Sequence, residues 1–237
     1  MNSGMYAALS GNLSAMRRLD VISNNLANAS TPGFKADQIQ FESLLANVKN
    51  PSPDPVFSSE RFSTDFSSGS LQKSDNVLDL ALDGDGFFVV NTPQGPAYTR
   101  QGNFHRGVGG RLVNADGYEV QGQGGPISVA GGRVDVGTGG VVTLDGVPSG
   151  TLVKVDFAKP YALTKTGGGL FLPTDPQAAT TPSTAEVKQG YLETSNVKVI
   201  VEMARMIETS RYFESCAKAV KSYDDMTGKA ANDLGKV

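Results

Sequence analysis

The stretch 24-NNLANASTPGF-34 decides how this chain is read. It closes an apolar-striped segment with three asparagines, a Ser-Thr pair and a Pro-Gly turn. Asparagine neither changes charge nor attacks carbon or phosphorus. Its carboxamide donates and accepts hydrogen bonds at once, which suits caps, turns and contacts between chains. Pro32 disfavours a helical residue before it and Gly33 permits positive φ, so a helix must end between Asn28 and Gly33.

Upstream of that stop, Met5, Leu9, Leu13, Met16, Leu19, Ile22 and Leu26 are spaced 4, 4, 3, 3, 3 and 4. The mean of 3.5 is the period of a helix lying along another helix, and it predicts a helix over about 3–28. The far end of the chain repeats the theme. Val199, Met203, Met206, Ser210, Phe213, Ala217 and Val220 alternate spacings of 4 and 3, and Ile200, Ala204 and Ile207 widen the stripe. With Ser195 or Asn196 as cap, a second helix is predicted over about 195–228. Each helix carries a face it cannot bury alone.

Between them the pattern changes. Residues 50–76 are rich in Ser, Pro and Asp and predict an extended connector. From Leu78 to about Pro173, β-prone runs such as 87-FFVVN-91, 97-AYTR-100, 118-YEVQG-122, 141-VVTLDG-146 and 152-LVKVDF-157 alternate with glycine turns. That spacing predicts an antiparallel β domain, followed by a Gly-, Pro- and Thr-rich loop over about 166–187. The fold class is α+β: a mostly antiparallel β central domain, with N- and C-terminal amphipathic helices pairing as a coiled-coil-like terminal domain. The expected division is 1–35 with 188–237 as a discontinuous helical region, 36–77 as connector, and 78–187 as the β-rich domain.

Composition narrows the function. The 237 residues carry 21 basic and 24 acidic side chains, a formal charge of -3, so no basic face for nucleic acid is expected. The start, 1-MNSGMYAALSGNLSAMRRLD-20, lacks the charged, apolar and small-residue zones of a secretory signal, and no apolar run reaches the ~18 residues of a membrane helix. A single cysteine, Cys216, allows no intrachain disulfide and reads as a small packing residue in the second helix.

Catalytic and ligand motifs fail on inspection. An EF-hand loop starting at Asp79 would put Ala81 and Val90 where oxygen ligands are needed, and 83-DGDG-86 reads better as a tight turn. Val89 fills the third glycine position of GxGxxG, and no GxxxxGK[ST] occurs. His105 is the sole histidine, and no GxSxG accompanies it to build a triad. No enzyme, metal or cofactor is expected.

Three segments resemble the bacterial flagellar rod and hook proteins. The segment 21-VISNNLANASTPGFK-35 is similar to their N-terminal signature. The segments 79-DLALDGDGFFVV-90 and 98-YTRQGNFHRGVGGRLVNADGYEVQG-122 resemble their shared β motif, and 189-QGYLETSNVKVIVEMARMIETSRYFE-214 resembles their C-terminal helix with its Glu-x-Ser-Asn-Val entry. The short span from Phe34 to Leu78, the lack of an inserted middle domain and the segment 122-GQGGPISVAGG-132 fit the proximal-rod branch, with distal-rod or hook subunits as the alternative.

The resemblance implies a structural subunit of the rod that crosses the periplasm and transmits torque. It implies polymerisation through the terminal helices, other rod subunits as partners, and passage through the flagellar type III export apparatus without signal cleavage. Neither nucleic acid nor membrane insertion is implied. The expected assembly residues are Leu9, Leu13, Met16, Ile22 and Leu26 on the first helix, with Val199, Met203, Met206, Phe213 and Val220 on the last. Asn24, Asn25 and Asn28 are expected to end the first helix and offer amide bonds to neighbouring subunits or to their own turn. Thr31, Pro32 and Gly33 redirect the chain and Phe34 anchors its exit. A secreted β-domain binding or adhesin module, dimerised by its helices, is the reading from a different class.

Overall fold

The computed structural model describes residues 2–42 and 59–234, which fall into two compact units. The first takes its described residues from 1–29, 36–65 and 197–237. It contains helix α1, Asn2–Ala27, and the longer helix α2, Val199–Leu234. Strands β1, Asp37–Glu42, and β2, Ser59–Thr64, pair antiparallel with Asp37 opposite Thr64. The two helices run antiparallel, because Gly4 lies against Tyr223 while Gly11 lies against Tyr212 and Cys216.

The second unit comprises 30–35 and 66–196. Its centre is the strand Phe87–Thr92, in which 87-FFVV-90 is buried throughout. Successive strand side chains point to opposite faces, so four buried residues in a row require core on both sides. Phe88 and Val90 join Leu80, Leu112, Val120, Leu152 and Val187 in one cluster. Phe87 and Val89 join Tyr98, Phe157 and Phe171 in the other, where Phe66 packs edge-on at 5.9 Å between ring centroids from Phe87. The strand pairs antiparallel with Gly95–Thr99, Glu119–Gly122 and Lys154–Phe157 in a ten-stranded sheet. A three-stranded sheet, Val134–Val136, Val141–Leu144 and Val147–Thr151, stands beside it in sequence.

Two expectations change. The connector predicted over 36–77 is largely paired where it is described: β1 with β2, and Leu71–Lys73 with Tyr191–Glu193. Its residues 43–58 lie outside the described residues. By compact unit, 36–65 goes with the helices, whereas 66–77 and 188–196 go with the β-rich unit. The loop predicted over 166–187 also contains strands. Gly167, Gly168 and Gly169 turn a hairpin between Leu163–Gly167 and Leu170–Pro173, and Glu186–Gln189 pairs with Leu80–Asp83. Long-range partners, absent from any local window, decide these short polar strands.

At the end of that last strand, Gln189 uses its side chain as a strand would. Its Nε2 donates to the carbonyls of Val77 and Val134 at 2.8 and 3.0 Å, and its Oε1 accepts from the Val136 amide at 2.9 Å. Two outward groups of the edge strand Val134–Val136, the Val134 carbonyl and the Val136 amide, are thereby satisfied.

Candidate functional site

The helical unit holds the first candidate surface. Along α1 the residues shielded from solvent include Gly4, Ala8, Gly11, Ala15, Arg18, Ile22 and Asn25, spaced 4, 3, 4, 3, 4 and 3. Along α2 the matching row is Glu202, Met206, Thr209, Phe213, Cys216, Val220 and Tyr223, spaced 4, 3, 4, 3, 4 and 3. This is a heptad seam, but the N-terminal half of α1 enters it with small residues, Gly4, Ala8, Gly11 and Ala15. A Cβ on Gly11 would stand 3.0 Å from both the Cys216 sulfur and the Tyr212 hydroxyl. The hydrogen bond between those two groups holds the Tyr212 phenol above its ordinary pKa. Gly11→Leu is therefore expected to wedge the helices apart and cost about 1–3 kcal/mol, read as a drop in the urea midpoint of the helical circular dichroism signal.

Because glycine and alanine face inward over that half, its large residues face outward. Leu9, Leu13 and Met16 are 48%, 51% and 53% exposed, with Met5 and Tyr6 beside them. On α2, Val199, Val201, Met203 and Ile207 are exposed, and Ile200 reaches 84%. Of the expected assembly residues, Ile22 is buried, and Leu26, Met206, Phe213 and Val220 are half-buried. The N-terminal part of the apolar stripe in α1, Met5 to Met16, is thus not the seam with α2, whereas Ile22 belongs to it. The side chains of that N-terminal part, spaced three and four apart on one helix face, are exposed to solvent among the described residues, the arrangement of a surface open to a partner.

The three asparagines separate by role. Asn25 is 1% exposed and clamps the backbone of Asp37: Nδ2 donates to its carbonyl at 2.8 Å and Oδ1 accepts from its amide at 2.9 Å. The side chain acts as a surrogate strand at the start of β1. Asn28 donates from Nδ2 to the Asn24 carbonyl at 2.9 Å, and its backbone amide reaches the same oxygen, so it closes the last turn of α1. Asn24 itself is exposed. Ser195 and Asn196 precede α2, and the Asn196 side chain donates to the Ser67 carbonyl and hydroxyl at 3.2 and 3.1 Å.

The β-rich unit holds a second constellation, made of residues that periodicity and motif spacing do not single out. Glu193, buried, accepts at Oε1 from Lys35 at 2.6 Å and from the Gly69 amide at 2.8 Å, while Oε2 accepts from Arg100 at 3.3 Å. Lys35 also donates to the Ser67 carbonyl at 2.8 Å, and Arg100 donates to the carbonyls of Leu82 and Gly84 at 3.3 and 2.6 Å. Gly33 seats the turn above them: its φ is +66°, its amide donates to the Glu193 carbonyl at 2.7 Å, and a Cβ there would lie 2.5 Å from the Arg100 carbonyl. Thr31 accepts the Phe34 amide across the Pro32–Gly33 turn, and the Phe34 ring lies 4.3 Å from the Lys165 ammonium. The signal was present in sequence as one charge inside each otherwise turn-like or apolar motif: Lys35 after Gly-Phe, Arg100 in Tyr-Thr-Arg, Glu193 before Thr-Ser-Asn-Val.

Known proteins match along the whole chain. Residues 5–35 match the family described as flagella basal body rod protein, 81–144 the flagellar hook protein FlgE/F/G D1 domain, and 188–234 the flagellar basal body rod FlgEFG protein C-terminal family. The chain is 32% identical over 240 residues to the flagellar basal-body rod protein FlgF of Rhizobium meliloti, covering 99% of each. It is 32% identical over 246 residues to FlgF of Caulobacter vibrioides, covering both completely. Against the basal-body rod protein FlgG of Bacillus subtilis it is 32% identical over 264 residues, covering 98% of this chain and 99% of that one.

Proposed function

Starting from the fact that the chain belongs to the flagellar basal-body rod protein family, as a structural subunit, we propose that it polymerises through its terminal helices and so transmits torque along the rod. The observation that carries this reading is the outward stripe of Leu9, Leu13 and Met16 together with the exposed first turns of α2. Each face is a half-seam, and a helix of a neighbouring rod subunit completes it. Dispersion and apolar burial then sum along a continuous contact, which is what a shaft without covalent cross-links requires.

Within the family the FlgF position is favoured. The alignment to FlgF of Rhizobium meliloti spans 240 residues and that to FlgG of Bacillus subtilis 264, so that FlgF is nearer in length to the 237 residues of this chain. The partners are neighbouring proximal and distal rod proteins, reached through the flagellar type III export apparatus.

Photoreactive phenylalanine analogues at Leu13 and Ile200 test the reading. In purified basal bodies both positions are expected to yield covalent adducts with rod subunits, while the same probe at the exposed Ser23 yields markedly less. Equal labelling at all three positions, or none at Leu13 and Ile200, would remove the helical half-seams from the assembly.

A further inference from the structure

The chain passes between its two compact units at four peptide crossings: 29/30, 35/36, 65/66 and 196/197. On the β-rich side these crossings emerge from three segments, 30–35, 66–70 and 193–196, which are far apart in sequence. All three are tied to one another inside that unit. Gly33 and Lys35 bond Glu193, Gly69 bonds Glu193, and Thr194 and Ser70 exchange backbone and hydroxyl bonds at 2.8 and 3.1 Å. Asn196 reaches Ser67 with its side chain and Phe34 with its amide.

We propose that Glu193 is the positioning residue of a clasp that locks these three segments together, so that the crossings behave as one bundle. The carboxylate is suited to this because it is the one group in the cluster that meets all three requirements. It binds the first segment through Lys35, the second through the Gly69 amide, and the rigid sheet through Arg100. Arg100 is in turn fixed to the strand Leu80–Asp83 and its turn through the carbonyls of Leu82 and Gly84, and its guanidinium stands 5.7 Å from the Phe87 ring centroid. A glutamine of nearly the same shape accepts at only one of the two positions, sets its amide NH2 against a donor that the carboxylate had satisfied, and loses the attraction for two buried cations. Packing alone would make the cluster indifferent to charge; the clasp depends on it.

The mechanical consequence rests on the rod reading. In a torque-transmitting subunit, load carried along the chain enters the β-rich unit at these four crossings, and a clasp shares it among them. The clasp itself does not depend on that reading and is tested on the isolated full-length chain.

The measurement is amide hydrogen exchange at Gly33, Gly69 and Thr194, with Val90 and Val120 as reporters of the sheet. Glu193→Gln is expected to speed exchange at the three clasp amides on the order of a hundredfold while the sheet reporters stay protected. Lys35→Met alone should speed them by about tenfold, which keeps the test available if the Glu193 variant does not fold. In the double variant the two effects should not multiply, because each removes the same ion pair. Unchanged exchange at Gly33 and Gly69 in either single variant, or effects that multiply in the double, overturns the clasp. Failure of the crosslinking in basal bodies with a normal exchange pattern would instead count against the rod reading alone.

Discussion

Replacing Leu9, Leu13 and Met16 together by aspartate is expected to give a protein that folds normally and never enters the rod. All three side chains are about half exposed, so the charges stay solvated in the isolated chain and stability should move by no more than about 0.5 kcal/mol per site. In a completed helix–helix contact the same carboxylates would be stripped of water without partners, at several kcal/mol each. The asymmetry is the diagnostic. Thermal melting should be nearly unchanged, swimming in soft agar should be lost, and basal bodies should stop at an incomplete rod. Aspartate at Ser10 and Ser23, exposed polar positions of the same helix, should leave motility intact. Wild-type swimming in the triple variant would show that the stripe is ordinary surface.

The second large effect belongs to Asn25. Alanine there deletes both hydrogen bonds to Asp37 and leaves a backbone donor and acceptor at the root of β1 without them. Two such losses at a buried site should cost about 2–4 kcal/mol, seen as a lower urea midpoint of the helical unit. Asn25→Asp should be at least as damaging, since a carboxylate cannot donate to the Asp37 carbonyl and instead sets charge against it. Asn24→Ala, by contrast, should be close to neutral, because that side chain is exposed. A chain that tolerates Asn25→Ala as well as Asn24→Ala would refute the clamp.

These two sites mark where local reasoning about the chain succeeds and where it stops. Helical period, the Pro32–Gly33 stop and the β-prone runs predict helices over about 3–28 and 195–228 and the central strands, against the observed Asn2–Ala27 and Val199–Leu234, because each rests on interactions within a few residues. The phase of the seam did not follow. Hydrophobicity marks Met5, Leu9, Leu13 and Met16, yet close approach to Tyr212 and Tyr223 selects Gly4 and Gly11 for the interior, a demand of shape that no apolarity pattern contains. Three asparagines in five residues look alike in sequence, and only the arrival of Asp37 makes Asn25 the structural one. Lys35, Arg100 and Glu193 escape for the same reason: 158 residues separate the Lys35 and Glu193 partners.

The amide of Gln189 has a last consequence. A polypeptide that associates helix against helix at high local concentration has a competing route, in which an open sheet border recruits an identical border and grows into insoluble fibrils. By occupying the Val134 carbonyl and the Val136 amide with a side chain from its own sequence, the molecule takes two bonds that a visiting strand would need there. Association at this border is thereby disfavoured, in keeping with the proposed assembly through the helices.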